Sequence, residues 1–393
     1  MSTATSTSFS TLSDTGNAVR SAWASARAQL PAAPVLVVAF AGPDRDLDVV
    51  HRELTALAPG ATVLGCHTAG EFTERGLEHG SVALMLVSSD ELLVGGALGT
   101  GARTDAAALA ATLAQPWKAL LTEATRRGLS AASSILLVDG LAGSGDRVVK
   151  AYQANTRVVQ QIVGGAAGDE GRFVSTGVFG PQGATADGAA AVQVFGRKPL
   201  AVGTGHGLAP ASRRMRVTKA RDSTLYELDG RPAFEAWREH AESRGVTLTE
   251  ANRGRYLIAN ELGVFFLDSL HHARAPVGVN EDGSVKLVAD LAEGASVCIL
   301  DGDPDAMVAA CGAAAREARQ ALGASAAAGV LVFDCVCRGM ILGDDFAREI
   351  DAVRAEFPSV PVLGFLTYGE IARSGGRLDG WHNTTSVVVA IPA

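Results

Sequence analysis

The feature that most constrains this fold is a short motif that occurs three times along the chain. In each copy an apolar run leads into a glycine-containing loop that ends in a carboxylate. The copies occupy residues 62–71, 161–169 and 361–370. The first and third share the spacing G-x4-G-E, whereas the second is one residue shorter and ends in Asp. Such repeats are expected to pack on one another, because a single unit cannot bury its own apolar faces.

Each loop lies inside a longer pattern of strand, helix, glycine loop and return strand. In the first copy the predicted strand, helix and return strand cover 35–40, 47–58 and 81–87, and in the second they cover 135–139, 146–159 and 189–195. In the third copy the strand begins at 330, the helix covers 345–357 and the return strand covers 385–391. Strands alternating with helices of this length indicate βαβ units with right-handed crossovers. The predicted fold class is therefore α/β, with mixed β-sheets flanked by helices, built from about three repeated β-α-β-β units in two domains.

The 393 residues are enough for two or three domains. Residues 1–33 are predicted to form a disordered leader and a short helix, because the first fourteen are rich in Ser and Thr and lack the features of a signal peptide. Residues 34–240 and 250–393 are predicted to form the two domains. A polar segment with little apolar periodicity separates them.

Charge and cysteine usage restrict the partners and the compartment. The net charge of −8 is spread without runs, which argues against nucleic acid or an anionic membrane as a partner. No apolar run approaches the ~18 residues that a membrane span needs. Five scattered cysteines are typical of free thiols in a reducing compartment. The protein is therefore expected to be cytoplasmic.

The glycine loops allow two interpretations. Glycines directly after a strand let the backbone approach a ligand or another strand closely, and ligands commonly bind where the strands of an α/β sheet end. Glu71, Asp169 and Glu370 would then face a shared pocket. Alternatively, the glycines only permit tight turns and the carboxylates cap exposed amides. A phosphate site is disfavoured, because no loop carries a phosphate-binding signature and a terminal carboxylate repels phosphate.

Cysteines give little support for catalysis or for a structural metal. Cys66 and His67 are neighbours on a predicted strand, so their side chains point to opposite faces and cannot pair as nucleophile and base. Cys335 and Cys337 lie two apart on another predicted strand and supply two soft ligands, whereas a structural zinc needs four. The protein is therefore predicted not to be an enzyme.

Three histidines are candidate ligands of a haem iron. His67, His206 and His382 lie at the ends of predicted strands, where an apolar pocket could form. A c-type haem is excluded because C-x-x-C-H is absent, but a b-type haem needs only one neutral imidazole in an apolar pocket. The alternative for each histidine is a hydrogen-bonded structural role.

From about residue 34 to the end, the motifs resemble the FIST sensory proteins, with both their N-terminal and C-terminal domains. The resemblance also rests on residues 217–219, 227–230 and 382–385. The ligand-binding residues that it implies are Gly65, Cys66, Thr68, Gly70, Glu71, Gly164, Gly165, Asp169, Arg338, Gly364, Thr367, Tyr368, Gly369 and Glu370. Where other members often carry a small hydroxyl residue, this chain has His67.

The resemblance implies an intracellular sensor of small molecules such as amino acids. Stand-alone members include haem-binding nitric-oxide sensors that act on a separate histidine kinase, which makes a haem b sensor with such a partner the most specific prediction. In the first alternative, a carboxylate of the loops pairs with the ammonium group of an amino acid, and Arg338 with loop amides binds its carboxylate. The second alternative is an enzyme. The sensor interpretation requires the three loops to converge and wall a common cavity.

Overall fold

The computed structural model describes residues 3–156, 161–266, 269–373 and 380–393. Side chains are described for all of these except residues 269 and 271. The last residues of the helix predicted over 146–159 therefore lie outside the described residues.

The first structural repeat occupies the N-terminal part of the chain, to residue 88. Its strands and helices are β1 (Ala4–Ser10), α1 (Thr15–Arg27), β2 (Leu36–Ala41), α2 (Leu47–Leu57), β3 (Thr62–His67), β4 (Glu71–Thr73), β5 (Gly76–Glu78) and β6 (Val82–Ser88). Both helices begin where an aspartate side chain, Asp14 or Asp46, accepts hydrogen bonds from amides of the first turn.

The second repeat has the same order of elements, with two helices in place of α1. It contains β7 (Leu93–Thr100), α3 (Ala106–Leu113), α4 (Trp117–Arg126), β8 (Ala131–Val138), α5 (Gly145–Asn155), β9 (Gln161–Ala166), β10 (Val178–Gly180), β11 (Gly183–Thr185) and β12 (Gly188–Gly196).

A β-rich module interrupts the third repeat directly after its first strand, β13 (Ala201–Gly205). The module contains β14 (Leu208–Pro210), β15 (Met215–Arg221), β16 (Thr224–Leu228), β17 (Arg231–Pro232), α6 (Phe234–Ser243), α7 (Glu250–Ala259), β18 (Leu262–Phe266), β19 (Ser269–Arg274), β20 (Pro276–Val279), β21 (Val285–Leu287) and β22 (Ser296–Gly302). Four of its strands precede the two helices along the chain and five follow them, and these nine strands form one antiparallel sheet.

After the module the third repeat continues to the C-terminus. It contains α8 (Pro304–Ala321), β23 (Ala327–Cys335), α9 (Val336–Leu342), a 3-10 turn (Gly343–Phe346), α10 (Ala347–Glu356), β24 (Val362–Thr367), β25 (Glu370–Arg373), β26 (Gly380–His382) and β27 (Ser386–Pro392). Helix α8 begins as the sequence indicates, with Asp303 as N-cap and Pro304 in the first turn. The mixed α/β fold class is thereby confirmed.

The repeats exchange their short hairpins in a cycle. Within each repeat the central strands form a mixed sheet, such as β1-β6-β2-β3, in which β2 and β3 are parallel. Hairpin β10–β11 of the second repeat extends the first sheet beyond β3, β25–β26 of the third extends the second sheet beyond β9, and β4–β5 of the first extends the third sheet beyond β24. This exchange brings all three glycine loops to one centre.

The N-terminus differs from the prediction of a disordered leader. Residues 4–10 form β1, which pairs antiparallel with β6 over its whole length. Strands β7 and β13 take the same edge position in the other two sheets, so the repeat is longer than the predicted β-α-β-β unit. The Ser- and Thr-rich sequence of β1 lacks the apolar alternation that marks a strand, yet its hydroxyl groups find partners: Ser8 donates to the carbonyl of Ala22 at 2.5 Å.

The inner faces of the three sheets share one apolar core. Phe40 of the first repeat packs against Phe365 of the third with ring centroids 4.3 Å apart, and Phe333 lies 5.8 Å from Phe365. All three rings are fully buried. Burial of each contributes about 1.5–3 kcal/mol to folding. Because this core joins strands of different repeats, it fixes the loops at their ends relative to one another.

Candidate functional site

The three glycine loops meet where the repeats exchange their hairpins. Backbone hydrogen bonds join every pair of loops: Ala69 N to Leu366 O at 3.0 Å, Gly168 N to His67 O at 3.0 Å, and Ala166 N to Gly369 O at 2.8 Å. The expected convergence of the loops is therefore confirmed, but neither of the two large cavities beside them is walled by all three loops.

Glu71 of the first loop is used as an internal cap. The hydroxyl group of Thr68 donates to one of its carboxylate oxygens. The amide and hydroxyl groups of Ser81, just before β6, donate to the other at 3.0 and 2.7 Å. The carboxyl group is fully buried, and this burial raises the pKa of Glu71 to about 7. Both carboxylate oxygens of Glu71 therefore accept hydrogen bonds from within the fold.

The third loop repeats this arrangement. Thr367 donates its hydroxyl to Glu370, and the amide of Thr385, just before β27, donates to the second carboxylate oxygen at 3.0 Å. Glu370 is also fully buried, and burial raises its pKa well above the usual range. In both loops, the observed contacts are those of the capping interpretation.

The second repeat obtains its buried cap from a different strand. Asp139, directly after β8, accepts from the hydroxyl of Thr176 and from the amide of Asp187 at 2.9 Å. Asp187 precedes β12 as Ser81 precedes β6, so Asp139 corresponds in role to Glu71. Sequence reasoning missed Asp139 because it looked for the acid at the end of the glycine loop. The signal was present at the end of the strand predicted over 135–139.

Asp169 has a separate task. It accepts hydrogen bonds from the amides of Phe173, Val174 and Ser175, at 2.9, 2.6 and 3.0 Å, and from the hydroxyl of Tyr368. Burial opposes its ionisation, but these four donors outweigh it and lower the pKa of Asp169. The same contacts hold the Phe173 ring stacked on Tyr368, with centroids 4.9 Å apart.

The first glycine of each loop makes room for the exchanged hairpin. A Cβ atom at Gly65 would lie 2.4 Å from the ring of Phe179, and one at Gly364 would lie 2.2 Å from the ring of Phe72. Gly164 takes the corresponding position opposite β25. A larger side chain at Gly65 or Gly364 would therefore clash with the exchanged hairpin, whereas a Cβ atom at Gly164 would lie 1.8 Å from the carbonyl oxygen of Leu136 in the same repeat.

The other predicted loop residues are also explained by packing. Gly70 and Gly369 have φ angles of +145° and +157°, which L side chains rarely adopt. A Cβ at Gly165 would lie 2.7 Å from the side chain of Thr367. Cys66 lies in the apolar core, where burial raises the pKa of its thiol well above the usual range. These residues therefore fix the conformation and packing of the loops.

Arg338 is fully buried, and its five N–H groups all have partners. Its Nε lies 2.9 Å from Asp334, its Nη2 binds Glu349, and its other donors reach the carbonyls of His206, Thr384 and Met307. Burial opposes the charge, but the two carboxylates outweigh it and raise the pKa of Arg338. No donor is left for a ligand.

A cavity of about 490 Å³, which we call the junction cavity, opens where the second repeat, the third repeat and the module meet. It is lined by Gly140, Leu141, Gly143 and Phe173 of the second repeat, by Cys335, Val336, Cys337, Met340, Tyr368 and Asn383 of the third, and by Glu250, Arg253, Gly254, Leu257, Ile258, 275–279 and Val288 of the module. Most of these groups are apolar or backbone. Of the predicted ligand-binding residues, Tyr368 lines this cavity.

Both residues of the C-x-C pair line the junction cavity. Cys335 ends β23 and Cys337 lies in α9, so the two are not on one strand as the sequence suggested. Burial raises the pKa of Cys335 well above the usual range, and the neighbouring Cys337 raises it further. The Cys335 thiol is therefore held protonated and is a poor nucleophile.

A second cavity of about 550 Å³ lies on the other side of α9 and shares Val336 and Met340 with the first. The glycine loops reach it through Ala69 and Leu366, and His79 and Glu170 stand at its wall. His79 is mostly exposed and lies 3.8 Å from Glu170. This cavity is more polar than the junction cavity, and none of its lining residues belongs to the module.

The three candidate haem ligands lie away from both cavities. His67 Nε2 is 2.8 Å from the carbonyl of Arg45, and His206 Nδ1 accepts from the amide of Leu208 at 2.9 Å. Burial lowers the pKa of each. His382 is buried with its ring edge against His272, at a centroid distance of 5.2 Å. None of the three lines either cavity, so neither cavity offers one of these imidazoles to a haem iron.

Together these features define a three-repeat α/β protein with a ligand-sized cavity beside an inserted module. The FIST N domain model matches residues 35–231, and the FIST C domain model matches residues 233–373. The chain belongs to the FIST family, which is a family of sensory ligand-binding domains. The bounds predicted for the two domains stay a prediction.

Other comparisons add little. No curated protein sequence matches the chain. Among solved structures, a cyanuric acid hydrolase from A. caulinodans is similar over 100% of both chains, at 9% sequence identity and a TM-score of 0.36. Across the described residues, no helix is both long and apolar enough to cross a membrane.

Proposed function

We propose that this protein is a sensory receptor that binds a small molecule in the junction cavity and signals to a separate protein. The observation that carries the proposal is the cavity itself. Its volume of about 490 Å³ lies within the range of ~300–1,000 Å³ typical of ligand pockets, and its wall is largely apolar with a few polar groups. We propose a ligand with an apolar body, which the Phe173–Tyr368 stack would contact at one end.

The position of the cavity suggests how a signal would be generated. Its wall comes from three parts of the chain, so a ligand that touches all three favours the arrangement that fits it best. Phe173, Val277 and Met340 stand at its wall with 57%, 55% and 45% of their surface exposed. A partner such as a sensor histidine kinase would bind these apolar side chains, and its affinity would depend on their arrangement.

The haem-based nitric-oxide sensor stays a prediction. It is not favoured by the two cavities, because none of the three candidate histidines lines them. An absorption spectrum of freshly purified protein tests it. A Soret band that shifts with nitric oxide and disappears in one His→Ala variant at 67, 206 or 382 would establish it. A colourless protein that refuses added haemin would remove it. The absence of catalysis likewise stays a prediction.

Gly254 offers a direct test of the cavity. It lines the junction cavity on α7, and a Cβ atom there meets nothing within 4 Å. Gly254→Phe would therefore fill the cavity with little effect on packing, whereas Gly254→Ala leaves it open and is the matched control. Thermal-shift screening of the full chain against small apolar acids, amides and amino acids should give hits that Gly254→Ala keeps and Gly254→Phe loses. Hits unaffected by Gly254→Phe would refute the site.

A further inference from the structure

Three buried hydrogen-bond donors near the junction cavity have no hydrogen-bond partner among the described residues. They are Ser144 Oγ, Arg274 Nε and Trp381 Nε1, on residues that are 3%, 8% and 5% exposed. Ser144 follows the lining residue Gly143, and Arg274 precedes the lining residue Ala275. Buried polar groups are normally paired, so three such donors on residues that contact one another or adjoin such a residue indicate a missing acceptor.

Contacts through other atoms link the residues that carry these donors. Arg274 Nη1 lies 3.4 Å from the carbonyl oxygen of Trp381. The Trp381 ring in turn covers Gly145, where a Cβ atom would lie 2.2 Å from the ring. Gly145 begins α5, and Ser144 is its N-cap without making a side-chain capping bond. The positive end of this 11-residue helix therefore points into the same region.

Arg274 is also a buried cation without an ion pair to any described carboxylate. Asp146, Glu261 and Asp290 act on it only at longer range. Asp146 is paired with Lys150 at 2.9 Å. Glu261 accepts from Thr384 through Oε1, and its buried Oε2 has no hydrogen-bond partner among the described residues. Burial raises the pKa of Glu261 to about 7, so its carboxyl group is partly protonated near neutral pH. A buried cation is costly unless a counterion approaches it closely.

We propose that the ligand of the junction cavity is an organic monocarboxylate, with its carboxylate held by Arg274, Trp381 Nε1–H and the Ser144 hydroxyl. This proposal rests on the proposed receptor function and names its ligand class. The carboxylate would pass between the small residues Gly143 and Ala275, and the apolar body would remain in the cavity. A carboxylate supplies both the negative charge and the acceptors that these donors lack.

The test compares acids with their uncharged amides on the full chain at constant ionic strength. Titration calorimetry with hexanoate and benzoate should give affinities at least about tenfold higher than with hexanamide and benzamide. Arg274→Gln should abolish this difference and should fold at least as well as the wild type without ligand. Trp381→Phe removes one neutral donor and should weaken acid binding about three- to tenfold. Arg255→Gln, at an exposed residue of α7 outside the cavity lining, is the control and should change little.

Each outcome decides between the two proposals. If acids and amides bind equally well, the carboxylate site is overturned and the receptor cavity stands. If neither class binds, both proposals are overturned. Should Arg274→Gln fail to fold, Trp381→Phe and Ser144→Ala decide the question: wild-type affinity for the acids in both variants would overturn the site.

Discussion

Replacing Arg338 by methionine tests whether this residue belongs to the fold or to the ligand site. The guanidinium is fully buried between Asp334 and Glu349. It donates to three carbonyl oxygens, in the turn after β13, in α8 and in the loop before β27. Arg338→Met leaves two adjacent carboxylates in the core without a cation. It also leaves carbonyl oxygens without donors.

The expected loss of unfolding free energy is about 3–5 kcal/mol, the range found when one partner of a buried ion pair is removed. The unpaired carbonyls alone would cost about 1–3 kcal/mol each. Protonation of Asp334, whose pKa burial already raises, offsets part of the total. The loss should therefore stay within the range for a broken buried pair.

Urea unfolding followed by circular dichroism measures the change, with Arg354→Met as the control. Arg354 forms an exposed pair with Asp351 at 3.1 Å, so its removal should cost less than about 0.5 kcal/mol. A loss below about 1 kcal/mol for Arg338→Met would refute the structural role. Unchanged stability together with lost ligand binding would instead restore Arg338 as a ligand-binding residue.

Three further predictions concern pH, helix stability and the N-terminus. Burial raises the pKa of Glu261 to about 7 from 4.5, so the stability it contributes is complete below pH ~4.5 and is lost as the pH rises through 7. Glu261→Gln should therefore remove up to about 3 kcal/mol of pH dependence in urea unfolding between pH 4.5 and 8, and an unchanged slope would contradict this. Gly254→Ala should raise the unfolding free energy by about 0.5–1 kcal/mol, because alanine favours the interior of α7; a loss of stability would show that the space is not free. Removal of residues 1–11 deletes β1 and exposes the edge of β6, so it should lower the melting temperature and promote association on size-exclusion chromatography; unchanged behaviour of both would mean that β1 is dispensable.

The sequence was sufficient to predict the fold class and the convergence of the loops, because the motif repeats at a regular position relative to strands and helices. It could not show the exchange of hairpins. Strand β4 pairs with β24 and β25 pairs with β9, and such long-range choices leave no local pattern. The exchange is the reason for Gly65 and Gly364, which sequence reasoning assigned to ligand binding.

The candidate site was harder to predict because it does not lie in the repeated motif. The triplicated residues maintain what the three repeats have in common, namely the exchanged hairpins and their buried caps. The junction cavity depends on what differs between them: the loop after β8, helix α9 and the module. Arg274 and Trp381 have no counterparts in the motif, so periodicity gave no signal for them.

A buried arginine that only two of the three repeats carry also indicates that the cavity depends on differences between the repeats. Ala41 and Asp334 occupy the same register position in their sheets, and four residues later the chain carries Arg45 and Arg338. Arg45 is also buried, and it donates to the carbonyl of Gly80, just before Ser81, as Arg338 does to that of Thr384 before Thr385.

The second repeat has Ala142 at this position, four residues after Val138. Its neighbours Leu141 and Gly143 line the junction cavity, and the unpartnered Ser144 hydroxyl follows. The cavity thus opens beside the repeat that lacks an arginine equivalent to Arg45 and Arg338. The module's Arg274 supplies a cation near this repeat. The variant Ala142→Arg places an arginine at the equivalent position of the second repeat. It should therefore weaken carboxylate binding, measured by titration with benzoate. Benzoate affinity equal to that of the wild type in a folded Ala142→Arg variant would contradict this link between the lost anchor and the site.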